Sequence, residues 1–146
     1  MAKLLIVYHT LSGNTEKMAE AVAEGARSVA GIQVAVKRAL EATLDDLLSA
    51  DATAFGSADY FSYIAGALKD FFDRTYYPAK GKVTDKPCAT FVTAGGPGEK
   101  VTECLDRYLK AFGLRKVGET VIAAGAPAPE ILEECRKLGQ QLAKAA

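Results

Sequence analysis

The chain has no tryptophan, one histidine and three cysteines. Cys88, Cys104 and Cys135 are odd in number, widely spaced and free of any C-x-x-C pattern, which argues against a disulfide framework and against a zinc site. His9, standing alone, supplies too little for a protein-ligated metal centre. No apolar run approaches the roughly 20 residues needed to cross a bilayer. The N-terminus shows neither a signal-peptide apolar region with the right flanks nor a cleavage site, so a cytoplasmic protein without membrane insertion is expected. Eighteen Lys and Arg balance eighteen Asp and Glu. A chain of zero net charge has no broad basic field, which disfavours nucleic acid and anionic membranes as partners.

What is present is the alternation of strand and helix signals over 146 residues, a length expected to form one domain covering positions 1–146. Strands are expected near 3 to 9, 32 to 38, 52 to 57, 87 to 94 and 117 to 124, and helices near 14 to 30, 43 to 50, 63 to 77, 98 to 112 and 128 to 144. The helices rest on apolar spacing: Met18, Val22, Ala26 and Val29 form one stripe, and Ile64, Leu68, Phe71 and Thr75 another. Val101, Leu105, Tyr108 and Phe112 repeat it, as do Ile131, Cys135, Leu138 and Leu142. Thr43, three residues before Asp46, matches a capping arrangement for the short second helix.

Strand-helix alternation predicts an α/β fold, a doubly wound parallel sheet with helices on both faces. Leu4 to Tyr8 and Cys88 to Val92 are nearly continuous apolar runs, as strands covered on both faces require, whereas Ile32 to Lys37 alternates and reads as an edge. Glu119 and Thr120 suggest the opposite edge. Five strands in the order 2-1-3-4-5 satisfy both observations and the right-handed crossover rule. The connections then reverse direction between strands one and three, and a ligand is expected outside their carboxyl ends, in a crevice built by the loops after strands one, three and four.

The first of those loops carries Thr10, Leu11, Ser12, Gly13, Asn14 and Thr15 between a buried strand and a helix. Backbone N–H groups and the positive end of the helix dipole converge there, and the hydroxyls and amide add donors, which suits a phosphate. The loop has no Lys for a triphosphate and lacks G-x-G-x-x-G for a dinucleotide, so a single terminal phosphate fits best. No Asp pair follows the first strand to hold Mg²⁺, and no Cys opens the loop as a nucleophile. The second loop, with Ala58, Asp59, Tyr60, Phe61 and Tyr63, concentrates aromatics suited to stacking on a flat ring. In the third, Thr93, Ala94, Gly95, Gly96 and Gly98 allow backbone to approach a planar ligand closely. A ring-plus-phosphate ligand is expected, the alternative being that the aromatics pack under the third helix and the glycines form an ordinary turn.

The segment Ile6 to Val22, centred on His9-Thr10-Leu11-Ser12-Gly13-Asn14-Thr15, resembles the flavodoxin phosphate signature, and the order of elements is similar to the flavodoxin-like fold over nearly the whole chain. Gly56 to Phe61, Gly66 to Arg74 and Thr93 to Gly96 look more like the NAD(P)H-dependent FMN and quinone reductase branch than like electron-carrier flavodoxins. The branch usually carries Pro where this chain has Ala58. The resemblance implies FMN, with its 5′-phosphate in the first loop and its ring between the second and third, and no catalytic side chain. NADH or NADPH is the implied donor, and a quinone or free flavin the implied acceptor. The alternative it implies is a non-enzymatic electron carrier to a redox protein. Carriers of this family are usually acidic and the reductases usually longer, and this chain matches neither habit. A homo-oligomer is compatible with the sequence, and so is a flavin-free interaction domain.

Single residues carry further expectations. His9 stands at the mouth of the crevice, where packing or hydrogen bonding is the first expectation and protonation of an acceptor the second. Asp59, if it faces the ring, would disfavour added negative charge there and lower the reduction potential. Arg74 and Lys80 read as a charged helix face rather than as nucleotide ligands, and Cys104 and Cys135 as inert core thiols.

Overall fold

A computed structural model describes all 146 residues. Its elements are, in chain order, β1 (Ala2–Tyr8), α1 (Asn14–Arg27), β2 (Ile32–Arg38), α2 (Leu44–Ser49), β3 (Ala52–Ala58), α3 (Gly66–Ala79), β4 (Pro87–Ala94), α4 (Glu99–Phe112), β5 (Arg115–Lys116), β6 (Val121–Ala124) and α5 (Pro129–Ala145). All strand pairs are parallel, and the order is β2-β1-β3-β4-β5, with β6 also pairing β4 farther along the same edge.

Successive side chains of a strand point to opposite faces, and in this sheet both faces are covered. Leu4 and Ile6 of β1 pack with Met18 and Val22 of α1 and Leu138 and Leu142 of α5. Leu5 and Val7 join Phe71 and Phe72 of α3 and Leu105 of α4 on the other side. That two-sided burial is why β1 and β4 read as continuous apolar runs. β2, half exposed along its length, is the edge its alternation predicts.

Two close approaches depend on glycine. A Cβ on Gly25 of α1 would lie 1.9 Å from the Arg136 carbonyl oxygen, and one on Gly139 of α5 would lie 2.0 Å from that of Val22, so α1 and α5 touch backbone to backbone. In the sheet, Gly56 leaves room for the Phe91 ring, 2.1 Å from where a Cβ would stand.

Three boundaries differ from the sequence-based expectation. The fifth strand is interrupted between Lys116 and Val121, where Gly118 adopts φ +69° and the Thr120 hydroxyl bridges Lys116 Nζ at 2.8 Å and Thr90 Oγ1 at 2.7 Å. Glu119 and Thr120, taken as marks of an edge strand, therefore lie in its break. α3 starts at Gly66 rather than 63, because the N–H and C=O of Tyr63 are both engaged by Tyr60 and cannot join a helix. α1 stops at Arg27, where the Ser28 hydroxyl donates to the Gly25 carbonyl at 2.6 Å. The capping box at Thr43 and Asp46 forms as expected.

Candidate functional site

β1, β3 and β4 end side by side at Tyr8, Ala58 and Ala94, so the three loops chosen from the sequence meet at one end of the sheet. The His9 N–H donates to the Gly56 carbonyl at 3.2 Å and the Asp59 N–H to the Thr93 carbonyl at 2.7 Å, which ties the loops to one another at their roots.

In the first loop Gly13 sits at φ +94°, a left-handed conformation that glycine enters without steric cost, and directs the chain into α1. Its N–H donates to Thr10 Oγ1 at 2.9 Å, while that of Asn14 lies 3.4 Å from Ser12 Oγ. No side chain caps the start of α1. The first-turn N–H groups of a helix have no intrahelical partners, so this end is open to an anion. Leu11 projects into solvent at the tip, whereas Thr10 and Thr15 are buried, and Thr15 Oγ1 lies 3.0 Å from Thr93 Oγ1. Glu16, in the same first turn, is drawn aside by the Tyr8 hydroxyl at 3.1 Å and by Arg38 at 3.3 Å.

The second loop separates its three aromatics. Tyr60 and Tyr63 exchange backbone hydrogen bonds at 3.0 and 3.1 Å around Phe61 and Ser62, both of which have positive φ, +58° and +62°. This geometry suits glycine or asparagine, and in other residues it costs energy that the surrounding contacts must offset. Phe61 is fully exposed at the tip. Tyr63 turns towards α4, where its hydroxyl hydrogen-bonds that of Tyr108. Burial and this bond raise the Tyr108 pKa. Tyr60 meets the His9 ring edge to face, with centroids 6.1 Å apart. Burial, together with the positive charge of Arg38, lowers the His9 pKa below the usual 6.5. The Ser57 hydroxyl accepts from the Ala65 N–H at 2.9 Å and fixes the far end of the loop.

Asp59 Oδ1 is buried without a hydrogen-bond partner. Asp59 lines a cleft of about 270 Å³ together with Ser62, Gly96, Pro97, Gly98, Glu99 and Lys100. Gly95 and Gly96 face open space, since a Cβ on either would meet nothing within 4 Å. Gly98, grouped with them from the sequence, borders the cleft too but is itself buried. At φ +75° it starts α4, and a Cβ there would stand 2.9 Å from Ile122. Ala94 is buried in β4, and its carbonyl accepts from the Gly125 N–H at 3.1 Å, which brings the loop after β6 to the same end. Ser62, Pro97, Glu99 and Lys100, which belong to the same loops, also line the cleft and were not singled out from the sequence. Their place in the chosen loops was the available signal.

Other residues have structural duties. Arg74 donates to Asp70 at 2.7 Å and to the carbonyls of Ala42 and Ala39 at 3.1 and 3.0 Å, clamping α3 to the segment after β2. Burial pushes the Cys88 and Cys135 thiols up to about 12. A larger groove of about 520 Å³ between α3 and α4 is lined by Phe72, Tyr76, Tyr108 and Phe112 among others, and Tyr108 links it to the second loop through Tyr63. No helix is long and apolar enough to cross a membrane.

The family model described as flavodoxin matches residues 6–139. A flavodoxin of Aquifex aeolicus (strain VF5) is 37% identical over 160 residues, covering 99% of this chain and 86% of its own. An NAD(P)H dehydrogenase (quinone) of Acidithiobacillus ferrooxidans (strain ATCC 53993 / BNL-5-31) is 35% identical over 142 residues, covering 81% of this chain and 71% of its own. Among solved structures, a flavodoxin from the domain Archaea superposes with a TM-score of 0.85 at 28% identity, covering 97% of this chain and 96% of the other. With the phosphate-loop pattern, the sheet order and a family match spanning nearly its whole length, the chain belongs to the flavodoxin family.

Proposed function

We propose that the chain is one flavin-binding domain of the cytoplasm that holds FMN at the carboxyl end of its sheet and transfers electrons between NAD(P)H and a quinone or flavin acceptor. The observation that carries the FMN reading is the uncapped start of α1 beside open glycine backbone and a buried, unpartnered carboxylate oxygen. Flavodoxins are themselves a standard example of ligand binding at such a switch point.

The residues fit the group. A phosphate monoester is met by the first-turn N–H groups of α1 and by the hydroxyls of Thr10, Ser12 and Thr15, with Asn14 able to add its amide. An isoalloxazine ring carries an N–H at its pyrimidine edge, the kind of donor that Asp59 Oδ1 lacks. Gly95 and Gly96 would let a flat ring lie against backbone, and Tyr60 meets His9, the residue that leads into the first loop. Bound FMN supplies the redox chemistry, and the side chains supply binding, orientation and electrostatics. The Asp59 carboxylate disfavours added negative charge on the ring, which lowers the potential.

Transfer from a nicotinamide needs an uncovered ring edge and an approach of roughly 3 to 3.5 Å. Short loops, with Phe61 held by no packing at the tip of the second, suit that access. The dehydrogenase relative supports the enzyme reading. The second reading, a carrier of electrons to a redox protein, is favoured by the flavodoxin relative at 37% identity. Anaerobic mixing of the FMN-loaded protein with NADH and with NADPH separates the two. Bleaching of the visible flavin band by either nucleotide is expected. If neither bleaches it over minutes while dithionite does, the carrier reading replaces the enzyme.

A further inference from the structure

We infer that Thr93 is a positioning residue for the phosphate subsite, acting through the hydroxyl of Thr15 without touching the ligand, an inference that rests on the FMN reading above. The two hydroxyl oxygens are 3.0 Å apart although the residues are 78 positions apart in sequence. Both side chains are buried, Thr15 at 1% and Thr93 at 7% exposure, so water does not compete for this bond.

Each hydroxyl has one proton to give and two lone pairs with which to accept. In the bond between them, one threonine spends its proton and the other keeps its own free. Thr15 stands in the first turn of α1, at the uncapped end that favours an anion. It can donate to that anion only if its lone pair, not its proton, is engaged by Thr93. Anion binding therefore selects the orientation in which Thr93 donates to Thr15 and Thr15 donates outward. Hydrogen bonds arranged in such a chain polarise one another, so the outer bond to the anion is strengthened by the inner one.

Thr93 is well held for this task. Its carbonyl accepts the Asp59 N–H at 2.7 Å, and it lies in register with Ala58 of β3. The third-loop threonine thus belongs functionally to the first loop, and the ring and phosphate loops share it as a common root.

The test compares dissociation constants for FMN and for riboflavin in the apo-protein of the parent, Thr93→Val, Thr93→Ser, Thr15→Val and the double valine variant. The parent prefers FMN. Thr93→Val is expected to reduce that preference about tenfold, the scale of a hydrogen bond to a charged group, with riboflavin affinity unchanged. Thr93→Ser keeps the preference. Because Thr93 acts through Thr15, the double variant should match Thr15→Val alone rather than add to it. Equal weakening of both flavins by Thr93→Val would show a purely structural role and overturn the inference, as would an unchanged preference or additive losses. If Thr93→Val does not fold, Thr93→Cys, whose thiol is only a weak donor, carries the comparison against Thr93→Ser and should reduce the preference in the same direction. Should the parent itself bind both flavins equally, the phosphate-loop reading fails, a result distinct from failure at Thr93.

Discussion

The first and second loops border the same crevice and reach their shapes by opposite routes. The first turns at Gly13, whose φ of +94° lies in the left-handed region that glycine occupies freely; the ties of the turn itself are short-range, from Gly13 to Thr10 and from Asn14 to Ser12, and only its two ends, at His9 and Thr15, reach far along the chain, to Gly56 and Thr93. The second turns at Phe61 and Ser62, which occupy that region against their preference. It is kept there by partners outside the turn: Ser57 to Ala65 across its base, Asp59 to Thr93 of β4, and Tyr63 to Tyr108 of α4. A loop for a compact anion needs only N–H groups aimed at one point. A loop beside a broad ring must present particular side chains at particular depths, and here the tertiary structure over-determines the strained turn that does so.

The comparison breaks most visibly if the second loop survives the loss of its anchor. Ser57→Ala leaves the Ala65 N–H buried without an acceptor, so a destabilisation of about 1 to 3 kcal/mol is expected. A shift in the urea midpoint at unchanged m-value measures it, and no shift would mean that the loop holds itself.

A pair of reciprocal changes sharpens the contrast. Gly13→Ala meets no atom within 4 Å, so its effect comes from φ alone and should destabilise by about 1 to 2 kcal/mol. Ser62→Gly removes strain at φ +62° and should stabilise by roughly 0.5 to 1 kcal/mol, the relief being partly offset by the entropy of glycine in the unfolded chain. Thermal melts of the two proteins should move in opposite directions. Movement of both downwards would place the tension of the second loop elsewhere than in its backbone.

The smallest effect is at the point where the loops touch. Burial and Arg38 lower the His9 pKa below 6.5, so the unfolded chain binds this proton more readily than the folded one. Stability contributed at this residue is present above about pH 6.5 and is lost as the pH falls through the folded pKa. His9→Gln should flatten that part of the pH-stability profile, measured by denaturant titration between pH 5 and 7 (about the window of an unperturbed histidine). An unchanged slope would assign the acid sensitivity to other groups.

Legibility follows the same division. The sheet order could be inferred because covered strands must be apolar throughout while edges alternate, and β1, β4 and β2 obey that rule. The break in the fifth strand was not legible. Gly118 is a local hint, but the interruption is completed by Lys116, Thr120 and Thr90 meeting from separate elements. At the site, Gly13 and the hydroxyls around it announced the anion loop. The exposure of Phe61, the burial of Gly98 against Ile122 and the contact of Thr93 with Thr15 depended on neighbours that the local sequence does not show.

By itself, then, the sequence determined the alternation of strands and helices, the covered and edge strands, and the helix start that suits a phosphate, because these depend on periodicity and on conformations set by one or two residues. Tertiary structure decided how deeply each loop aromatic and glycine is buried and which hydroxyl partners which. Those outcomes depend on the burial of groups that meet only after the chain has folded, when each buried donor or acceptor must find its partner among residues that sequence distance does not reveal.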